Sequence, residues 1–298
     1  MELVRVCREL EAVFPLKFAQ TYEPLSFIFP AVNKEAGINY RKIYESKFLD
    51  CYNGLMIKGA KIVNSAYCVV FPNPDILQKL LTRCRPGDFI FTHHCCGYDD
   101  KLGFLPIPAE LAEEIKVNQV SLYSLHTPFD VNCPWSTSVQ LAKVVGISVE
   151  GEFAVVLDKP SGVYGKPPVG DLTSLAGIVR RQIGAGEVTV ITNRKNQNIS
   201  RVAVIAGGGG YANLVNDAHR YECDTYLTGT VVENIEIEAV QDANMRFRKK
   251  AEELGINIIG GGHYYTEKVA LEGMVDFFGG LGLQAEFVPQ SAQTEVAG

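Results

Sequence analysis

The sequence lacks any excess of positive charge. It contains 28 Lys and Arg residues against 34 Asp and Glu residues, which gives a formal net charge of −6 over 298 residues. Proteins that bind nucleic acid or an anionic membrane surface rely on a basic field, so we expect neither partner. An anionic substrate would need local positive charge, which a bound metal ion can supply.

Long hydrophobic runs and secretion signals are also lacking. The sequence has no stretch of about 18 apolar residues, the length that a membrane span needs, and no charged and apolar leader. We therefore expect a cytoplasmic protein that does not enter a membrane. The eight cysteines form no CxxC pair. This spacing argues against a disulfide framework and indicates reduced thiols.

Two of the cysteines, Cys95 and Cys96, are adjacent and follow a pair of histidines. The plain interpretation is that they fill the turn behind the histidines. Metal ligation, or redox sensitivity beside a cation, is an alternative. A disulfide between the two is disfavoured because its geometry is strained for neighbouring residues.

What the sequence does contain is an alternation of strand-like and helix-like segments. Strand patterns at 61–71 and 88–92 flank a helical pattern at 73–83, which predicts a βαβ unit and hence a parallel sheet. Further helices are predicted near 2–14, 109–118, 136–145, 171–183, 211–220 and 234–254, and further strands at 119–123, 153–157, 188–192, 201–206, 224–228 and 255–259. Asp171 is the expected cap of its helix. Segments 16–60 and 159–170 are predicted as loops, the first with at most one short hairpin.

The two halves of the chain share an arrangement. Residues 88–94 resemble residues 224–230, and each stretch is followed by a helix and then by a strand that ends in His and, four residues later, a carboxylate. These pairs are His126 with Asp130 and His263 with Glu267. We therefore predict an α/β fold of two similar three-layer domains, 1–145 and 146–298, related by internal duplication and separated by a cleft.

Four of the five histidines follow predicted strands. In open α/β sheets, ligands bind at the carboxyl ends of the strands. Imidazole and carboxylate groups together suit zinc, manganese, iron or nickel better than magnesium. The strongest candidate metal ligands are His93, His94, Asp130, His263 and Glu267. The alternative is that each histidine is a half-buried polar residue without a ligand role.

Two of these positions carry more specific expectations. His126 is predicted either to act as a general acid or base, because imidazole titrates near neutral pH, or to orient Asp130. His263 is expected at the end of a strand, and Glu267 in the first turn of a helix that Thr266 caps.

The run Gly207, Gly208, Gly209 and Gly210 lies between a predicted strand and a predicted helix. Its G-x-G-x-x-A pattern is similar to a dinucleotide fingerprint, but Asp224 stands at the start of the next strand, whereas the acid that binds ribose belongs near the end. A tight strand-to-helix turn is one interpretation. Binding of a cofactor or a phosphate at the amino end of the helix is the other.

The motifs of the chain resemble those of the Nif-three-like family (Ngg-one-interacting factor three), also known as GTP cyclohydrolase I type 2 homologues. They are Phe-Thr-His-His at 91–94, Tyr-Ser-Leu-His-Thr-Pro-Phe-Asp at 123–130, Val-Ala-Val-Ile-Ala-Gly-Gly-Gly-Gly at 202–210, Asp-Thr-Tyr-Leu-Thr-Gly at 224–229 and Gly-His-Tyr-Tyr-Thr-Glu at 262–267. The resemblance implies two similar α/β domains, a dinuclear metal centre in the interdomain cleft and a ring-shaped homohexamer. It implies the same five ligands, with Glu267 as the bridge, and places His126 in the lining of the site without ligation.

The chain departs from the family pattern around the implied site. The two cysteines stand where Pro usually follows the histidine pair, and Pro128-Phe129 stands where Asn-Leu is usual. Thr230 and Asn234 replace an acidic residue and a later histidine, and an insertion lies within 29–60. The implied ligands are retained, whereas the surroundings of the site and the substrate pocket differ.

The resemblance favours a metal-dependent hydrolase that holds two divalent ions and acts on a nucleotide or a phosphorylated small molecule, similar to a GTP cyclohydrolase I type 2. In two-metal sites the ions lie about 3.5–4 Å apart and acidify a water molecule between them. His126 and Glu267 are the predicted catalytic residues. The alternative is a non-catalytic, oligomeric metal-binding regulator, and a nicotinamide-dependent enzyme is a third reading.

Overall fold

The computed structural model describes residues 1–99, 101–156, 158–195, 197–231 and 238–290. It confirms an α/β protein. The chain forms two compact units, of which the first comprises Met1–Phe129 and the chain from Leu271 onward, and the second comprises Asp130–Ala270. Within the described ranges, no helix is both long enough and apolar enough to span a bilayer.

The elements of the described residues are numbered in chain order. The helices are α1 (Leu3–Val13), α2 (Lys17–Thr21), α3 (Leu25–Glu35), α4 (Tyr40–Ile43), α5 (Ser46–Leu49), α6 (Pro74–Leu81), α7 (Ala109–Val117), α8 (Thr127–Asp130), α9 (Thr137–Val144), α10 (Leu172–Ile183), α11 (Ala212–Arg220), α12 (Glu238–Leu254) and α13 (His263–Gly280). The strands are β1 (Gly54–Ile57), β2 (Ser65–Val69), β3 (Phe89–Thr92), β4 (Gly97–Asp99), β5 (Gly103–Leu105), β6 (Ser121–Ser124), β7 (Ser148–Val156), β8 (Lys159–Lys166), β9 (Thr189–Ile191), β10 (Val202–Ile205), β11 (Thr225–Thr228), β12 (Asn257–Gly260) and β13 (Gln284–Phe287). The predicted start of a helix at 234 lies outside the described residues.

The first unit is built on a five-stranded sheet of order β1-β6-β3-β2-β13. Strands β6, β3, β2 and β13 are parallel, and β1 is antiparallel at one edge. The predicted βαβ unit is confirmed as β2, α6 and β3. Helix α6 begins with Pro74 at its first position, which favours a helix start, and buries Ile76, Leu77, Leu80 and Leu81 on one face.

The segment 16–60, for which the sequence predicts loops, is mostly helical: it contains α2 to α5, followed by β1. Its aromatic residues explain the difference. The ring of Phe29, which is 1% exposed, packs against Tyr40, Tyr44, Phe48 and Tyr52, with ring centroids 5.3 to 5.5 Å apart. Packing around this ring cluster therefore stabilises helices that are too short to form from local propensity.

The second unit is built on a six-stranded sheet of order β7-β8-β10-β11-β12-β9. Strands β10, β11 and β12 are parallel, while β7, β8 and β9 join antiparallel. The cap predicted for α10 is confirmed, because the carboxylate of Asp171 accepts a hydrogen bond from the backbone N–H of Ser174 at 2.8 Å.

The loop predicted at 159–170 is wrong for most of its length, since residues there form β8 between β7 and β10. The glycines that suggest a loop serve close packing instead. A Cβ at Gly165 would lie 2.0 Å from the carbonyl oxygen of Ser148, and one at Gly162 would lie 2.6 Å from Cε1 of Phe153. Glycine in this strand therefore marks places where neighbouring atoms approach the backbone.

The boundaries of the compact units differ from those of the predicted domains 1–145 and 146–298. Strand β13 belongs to the first sheet, where Ala285 pairs with Ala66 of β2. Helix α13 accordingly starts in the second unit and continues into the part of the chain that belongs to the first. The internal duplication and the cleft stay predictions.

Candidate metal centre

Two neighbouring parallel strands of the first unit carry histidines at the same edge of the sheet. β3 leads directly into His93 and His94, and His126 lies two residues beyond the end of β6. The register pairs Thr92 with Ser124, so the two strands end level with each other. The predicted placement of these three histidines at strand ends is therefore confirmed.

The imidazoles of His93, His94 and His126 form a cluster, which we call the imidazole cluster. The ring centroids of His93 and His94 are 4.4 Å apart, and that of His126 is 5.0 Å from each of them. One ring nitrogen from each residue lies within 4.8 Å of the other two. His93 and His94 are 0% and 1% exposed. Three imidazoles placed in this way suit zinc, iron or nickel.

Two contacts fix how the rings of the histidine pair are oriented. Nδ1 of His93 lies 2.9 Å from the carbonyl oxygen of Leu125. Because a carbonyl only accepts hydrogen bonds, Nδ1 of His93 carries the proton and Nε2 carries the lone pair that a metal requires. The ring of His94 stacks on Phe71 with centroids 4.2 Å apart, which sets its plane.

A buried carboxylate holds the third ring of the imidazole cluster. Glu23 is 4% exposed, and its Oε1 lies 2.8 Å from Nδ1 of His126. The same carboxylate accepts hydrogen bonds from the backbone N–H groups of Leu25 and Thr127 and from the side-chain amide of Asn53, at 3.0, 3.2 and 2.7 Å. Oδ1 of Asn53 accepts from the backbone N–H of His126 at 2.6 Å. His126 is thus held through both its ring and its backbone.

The surroundings of Glu23 keep it ionised. Burial alone would raise the pKa of Glu23, but the charge and hydrogen bond of His126, with the bonds from Leu25 and Asn53, lower the pKa below its ordinary value. An ionised carboxylate only accepts, so Nδ1 of His126 donates, and in the neutral form of the imidazole Nε2 carries the lone pair. The sequence pattern does not identify Glu23 as a site residue. Its one local feature is that it precedes Pro24, which stands at the start of α3.

The second unit brings His263 and Glu267 together, which we call the His–Glu pair. Helix α13 begins at His263, so the two residues lie one turn apart, with Nε2 of His263 3.0 Å from Oε1 of Glu267. The cap predicted at Thr266 is wrong, because the helix has already begun there. The Thr266 hydroxyl instead donates to the carbonyl of Gly262 at 2.9 Å and accepts from the N–H of Gly207 at 3.0 Å.

Asp130, the remaining predicted ligand, is the last residue of α8. Its Oδ1 accepts a hydrogen bond from the hydroxyl of Thr137 at 2.7 Å, which gives the carboxylate a defined position. The structure therefore forms two groups from the predicted site residues, the imidazole cluster and the His–Glu pair. Convergence of all five predicted ligands on one site stays a prediction.

The glycine run after β10 is shaped by side chains that pack against it. Gly207 has a φ of +62°, and a Cβ there would lie 2.0 Å from Oε1 of Glu267. A Cβ at Gly209 would lie 2.6 Å from the hydroxyl oxygen of Thr228. Close approach therefore requires glycine at these positions, which supports the interpretation as a tight turn. Cofactor or phosphate binding at 207–210 stays a prediction.

Cys95 and Cys96 are free thiols that are fully buried. They belong to the apolar core that also contains Tyr44 and Phe48. Burial, together with contact with Cys96, raises the pKa of Cys95 well above its ordinary value. Since the thiolate is the form that binds metals, these contacts favour the interpretation that the two cysteines fill the turn behind the histidines.

The sequence matches known proteins over most of its length. A family model described as Duf34/NIF3 (NGG1p interacting factor 3) matches residues 50–293. A protein from Pyrococcus horikoshii named GTP cyclohydrolase 1 type 2 homolog is 26% identical over 226 residues, which cover 75% of this chain and 82% of that protein. A protein of the same name from Salmonella typhimurium is 25% identical over 229 residues, which cover 76% and 83% of the two chains.

The fold also matches a solved structure. Reduced HcgD from Methanocaldococcus jannaschii superimposes with a TM-score of 0.66 and 19% sequence identity, over 97% of this chain and 98% of that chain. At this level of identity the similarity supports the fold alone.

Proposed function

Because this chain belongs to the Duf34/NIF3 family, we propose that it is a dinuclear divalent-metal protein that hydrolyses a nucleotide or another phosphorylated small molecule. The observation that carries the proposal is the imidazole cluster at the ends of β3 and β6. Buried imidazoles whose nitrogens lie this close together are a donor set for transition metals. The name shared by the relatives, which refers to a GTP cyclohydrolase, suggests the substrate class.

The proposed metal ligands are His93, His94, Asp130, His263 and Glu267, with Glu267 as the bridge. The first unit contributes imidazoles, and the second contributes the His–Glu pair and the carboxylate that Thr137 holds. Two carboxylates would offset part of the charge of two divalent ions. The mixture of imidazole and carboxylate donors fits zinc, manganese, iron or nickel.

Contacts of the proposed site residues support this chemistry. A pair of divalent ions would supply Lewis acidity and a lowered pKa of water. The hydrogen bond to Leu125 presents Nε2 of His93, and burial of both histidines at the end of β3 keeps bulk water away. Glu267, predicted as catalytic, is 3% exposed and is fixed by His263 at 3.0 Å. A proton-transfer role for His126 stays a prediction.

The proposal extends to partners and assembly. With a formal charge of −6, the chain as a whole repels anions, so a phosphorylated substrate would be attracted by the bound ions rather than by the protein surface. We propose a small-molecule substrate, no nucleic-acid or membrane partner, and a homo-oligomer that is hexameric in accord with the family resemblance. Sedimentation analysis of the purified protein tests the assembly.

Elemental analysis tests the metal centre. The variants His93→Ala and His263→Ala are compared with His219→Ala, which removes the exposed histidine of α11. We expect about two divalent ions per chain in the wild type and in His219→Ala, as in other two-metal sites, and loss of metal in the other two variants. A wild-type protein without bound metal under metal-replete conditions contradicts the proposal.

A turnover screen of the metal-loaded protein against GTP, other nucleotides and phosphoesters tests the hydrolase activity. Metal-dependent release of product, lost in His93→Ala and retained in His219→Ala, supports the hydrolase. Full metal content without turnover of any of these substrates favours the alternative, a non-catalytic metal-binding regulator.

A further inference from the structure

The contacts of His126 exceed what a residue that only lines a site requires. Its Nδ1 faces a buried carboxylate, its backbone N–H is bonded to Asn53, and its ring stands as close to His93 as to His94. We infer that His126 is a third imidazole ligand of the metal held by His93 and His94, and that Glu23 positions it for this role. The inference rests on the proposed function, since it adds residues to the same metal centre.

The first step of the argument is the geometry of the His126 ring. The hydrogen bond to Glu23 occupies Nδ1, which leaves Nε2 as the nitrogen that a metal can use. In a tetrahedral site with metal–nitrogen bonds of about 2.0–2.1 Å, ligand nitrogens lie about 3.4 Å apart. One ring nitrogen from each residue of the imidazole cluster lies within 4.8 Å of the other two, so the three rings are close enough to reach one metal ion.

The second step is the way in which Glu23 is held. Burial of a carboxylate is unfavourable unless its oxygens accept hydrogen bonds. Leu25, Asn53 and Thr127 supply three hydrogen bonds to Glu23 besides the one from His126. The position of Glu23 is therefore set by the backbone and by Asn53, and the ring of His126 aligns to it. When a histidine binds a metal through one ring nitrogen, a carboxylate that accepts a hydrogen bond from the other nitrogen orients the ring and increases its basicity.

The third step concerns the part of the chain that supplies this carboxylate. The family-model match begins at residue 50, so Glu23 lies outside it, whereas His126 lies within it. Glu23 stands just before α3, which the ring cluster around Phe29 anchors in the first unit. The amino-terminal helices thus contribute to the metal centre in this chain. Ligation through Nε2 also replaces the proton-transfer role predicted for His126, because the metal takes the nitrogen that a general base would use.

Titration of the metal-free protein with Co²⁺ tests the inference, because the visible absorption of Co²⁺ depends on the number and type of its ligands. We expect His126→Ala to change the Co²⁺ spectrum and to weaken binding at least tenfold. Glu23→Gln, which keeps the shape of the side chain, should weaken binding about 10–100-fold, as is typical for residues that orient a ligand. The matched controls are His219→Ala and Glu35→Gln, which replace an exposed histidine and an exposed acid at the end of α3.

Chemical rescue separates ligation from a structural role. If His126 binds the metal, added imidazole should restore the wild-type spectrum to the His126→Ala protein, whereas a buried ion pair that only stabilises the fold gives no such recovery. Circular dichroism shows whether each variant is folded, and Glu23→Gln decides the outcome if His126→Ala does not fold.

Two results overturn the inference, and they differ in what they mean for the proposed function. If His93→Ala loses Co²⁺ while His126→Ala and Glu23→Gln keep the wild-type affinity and spectrum, the metal centre stands and Glu23 and His126 form a structural ion pair. If His93→Ala also binds Co²⁺ like the wild type, the proposed centre itself fails and the inference fails with it.

Discussion

Replacement of Gly207 by alanine should displace the carboxylate of Glu267. A Cβ at this position would lie 2.0 Å from Oε1, 2.9 Å from Cδ and 3.3 Å from Cγ of Glu267. Atoms cannot remain this close, so the Glu267 side chain has to move. The movement breaks its 3.0 Å contact with Nε2 of His263. A single methyl group on the glycine run therefore disrupts the His–Glu pair without removing either of its side chains.

The cost of Gly207→Ala in stability follows from two terms. Gly207 has a φ of +62°, and placing alanine in this left-handed region costs about 1–2 kcal/mol. Reduced freedom of the unfolded chain offsets about 0.4–1 kcal/mol of that cost. Overpacking against a buried side chain adds about 1–3 kcal/mol. The free energy of unfolding should accordingly fall by about 1–5 kcal/mol.

Gly208→Ala is the matched control. A Cβ at Gly208 meets no described atom within 4 Å beyond its chain neighbours, and the residue is exposed. Urea unfolding of both variants measures the stability, and elemental analysis measures bound metal. We expect Gly207→Ala to lose stability and metal, and Gly208→Ala to stay within about 0.5 kcal/mol of the wild type, as is usual for surface changes. Equal stability and equal metal content in the two variants would refute the reasoning.

Three further predictions concern the fold. Phe29→Ala should lower the free energy of unfolding by about 3–5 kcal/mol in urea titrations, because it empties the centre of a ring cluster; a loss below about 1 kcal/mol would contradict this. Gly165→Ala should destabilise the β7–β8 pairing, because its Cβ would lie 2.0 Å from a facing carbonyl oxygen. Gly170→Ala, whose Cβ would lie in open space, should not destabilise the protein. Equal melting temperatures of the two variants would show that the strand relaxes around the added methyl group. Hydrogen bonding from Ser174 lowers the pKa of Asp171 below its ordinary value of 3.8. The wild type should therefore melt at a higher temperature than Asp171→Ala above pH 3.8, and this difference should vanish as the pH falls through the lowered pKa of the folded protein. A difference in melting temperature that persists in acid would show that the charge of Asp171 is irrelevant.

The elements that the sequence predicts well are those whose signals are local. Helix α10 has its cap at Asp171 and an apolar face over the following turns, and both signals lie within a few residues. The strand β8 is missed because Gly162 and Gly165 look like loop residues, while the reason for glycine lies in strand β7 and in the side chain of Phe153. The short helices around Phe29 are missed because the packing of distant rings stabilises them. Tertiary contacts thus decide where local signals are weak or misleading.

The same distinction applies to the candidate site. His93, His94 and His126 are predictable because each follows a recognisable strand, and parallel strands end at one edge. Glu23 is not predictable because its partner His126 lies 103 residues away and no periodic pattern connects them. The close approach of Glu267 to Gly207 also joins residues that are far apart in the sequence. Strand ends can therefore be read from sequence, whereas the side chains that orient the site residues cannot.

Strand β13 is synthesised after the second unit although it belongs to the first sheet. Domains generally fold as they emerge, with the amino-terminal domain first. Here the second sheet has all its strands once β12 has been made, whereas the first sheet gains its edge strand beside β2 only when residues 284–287 are released. The histidines at the end of β3 consequently belong to a sheet that stays open at one side while the ribosome makes the whole second unit. A nascent chain halted before β13 would carry the imidazole cluster on an unfinished sheet with β2 exposed at its edge.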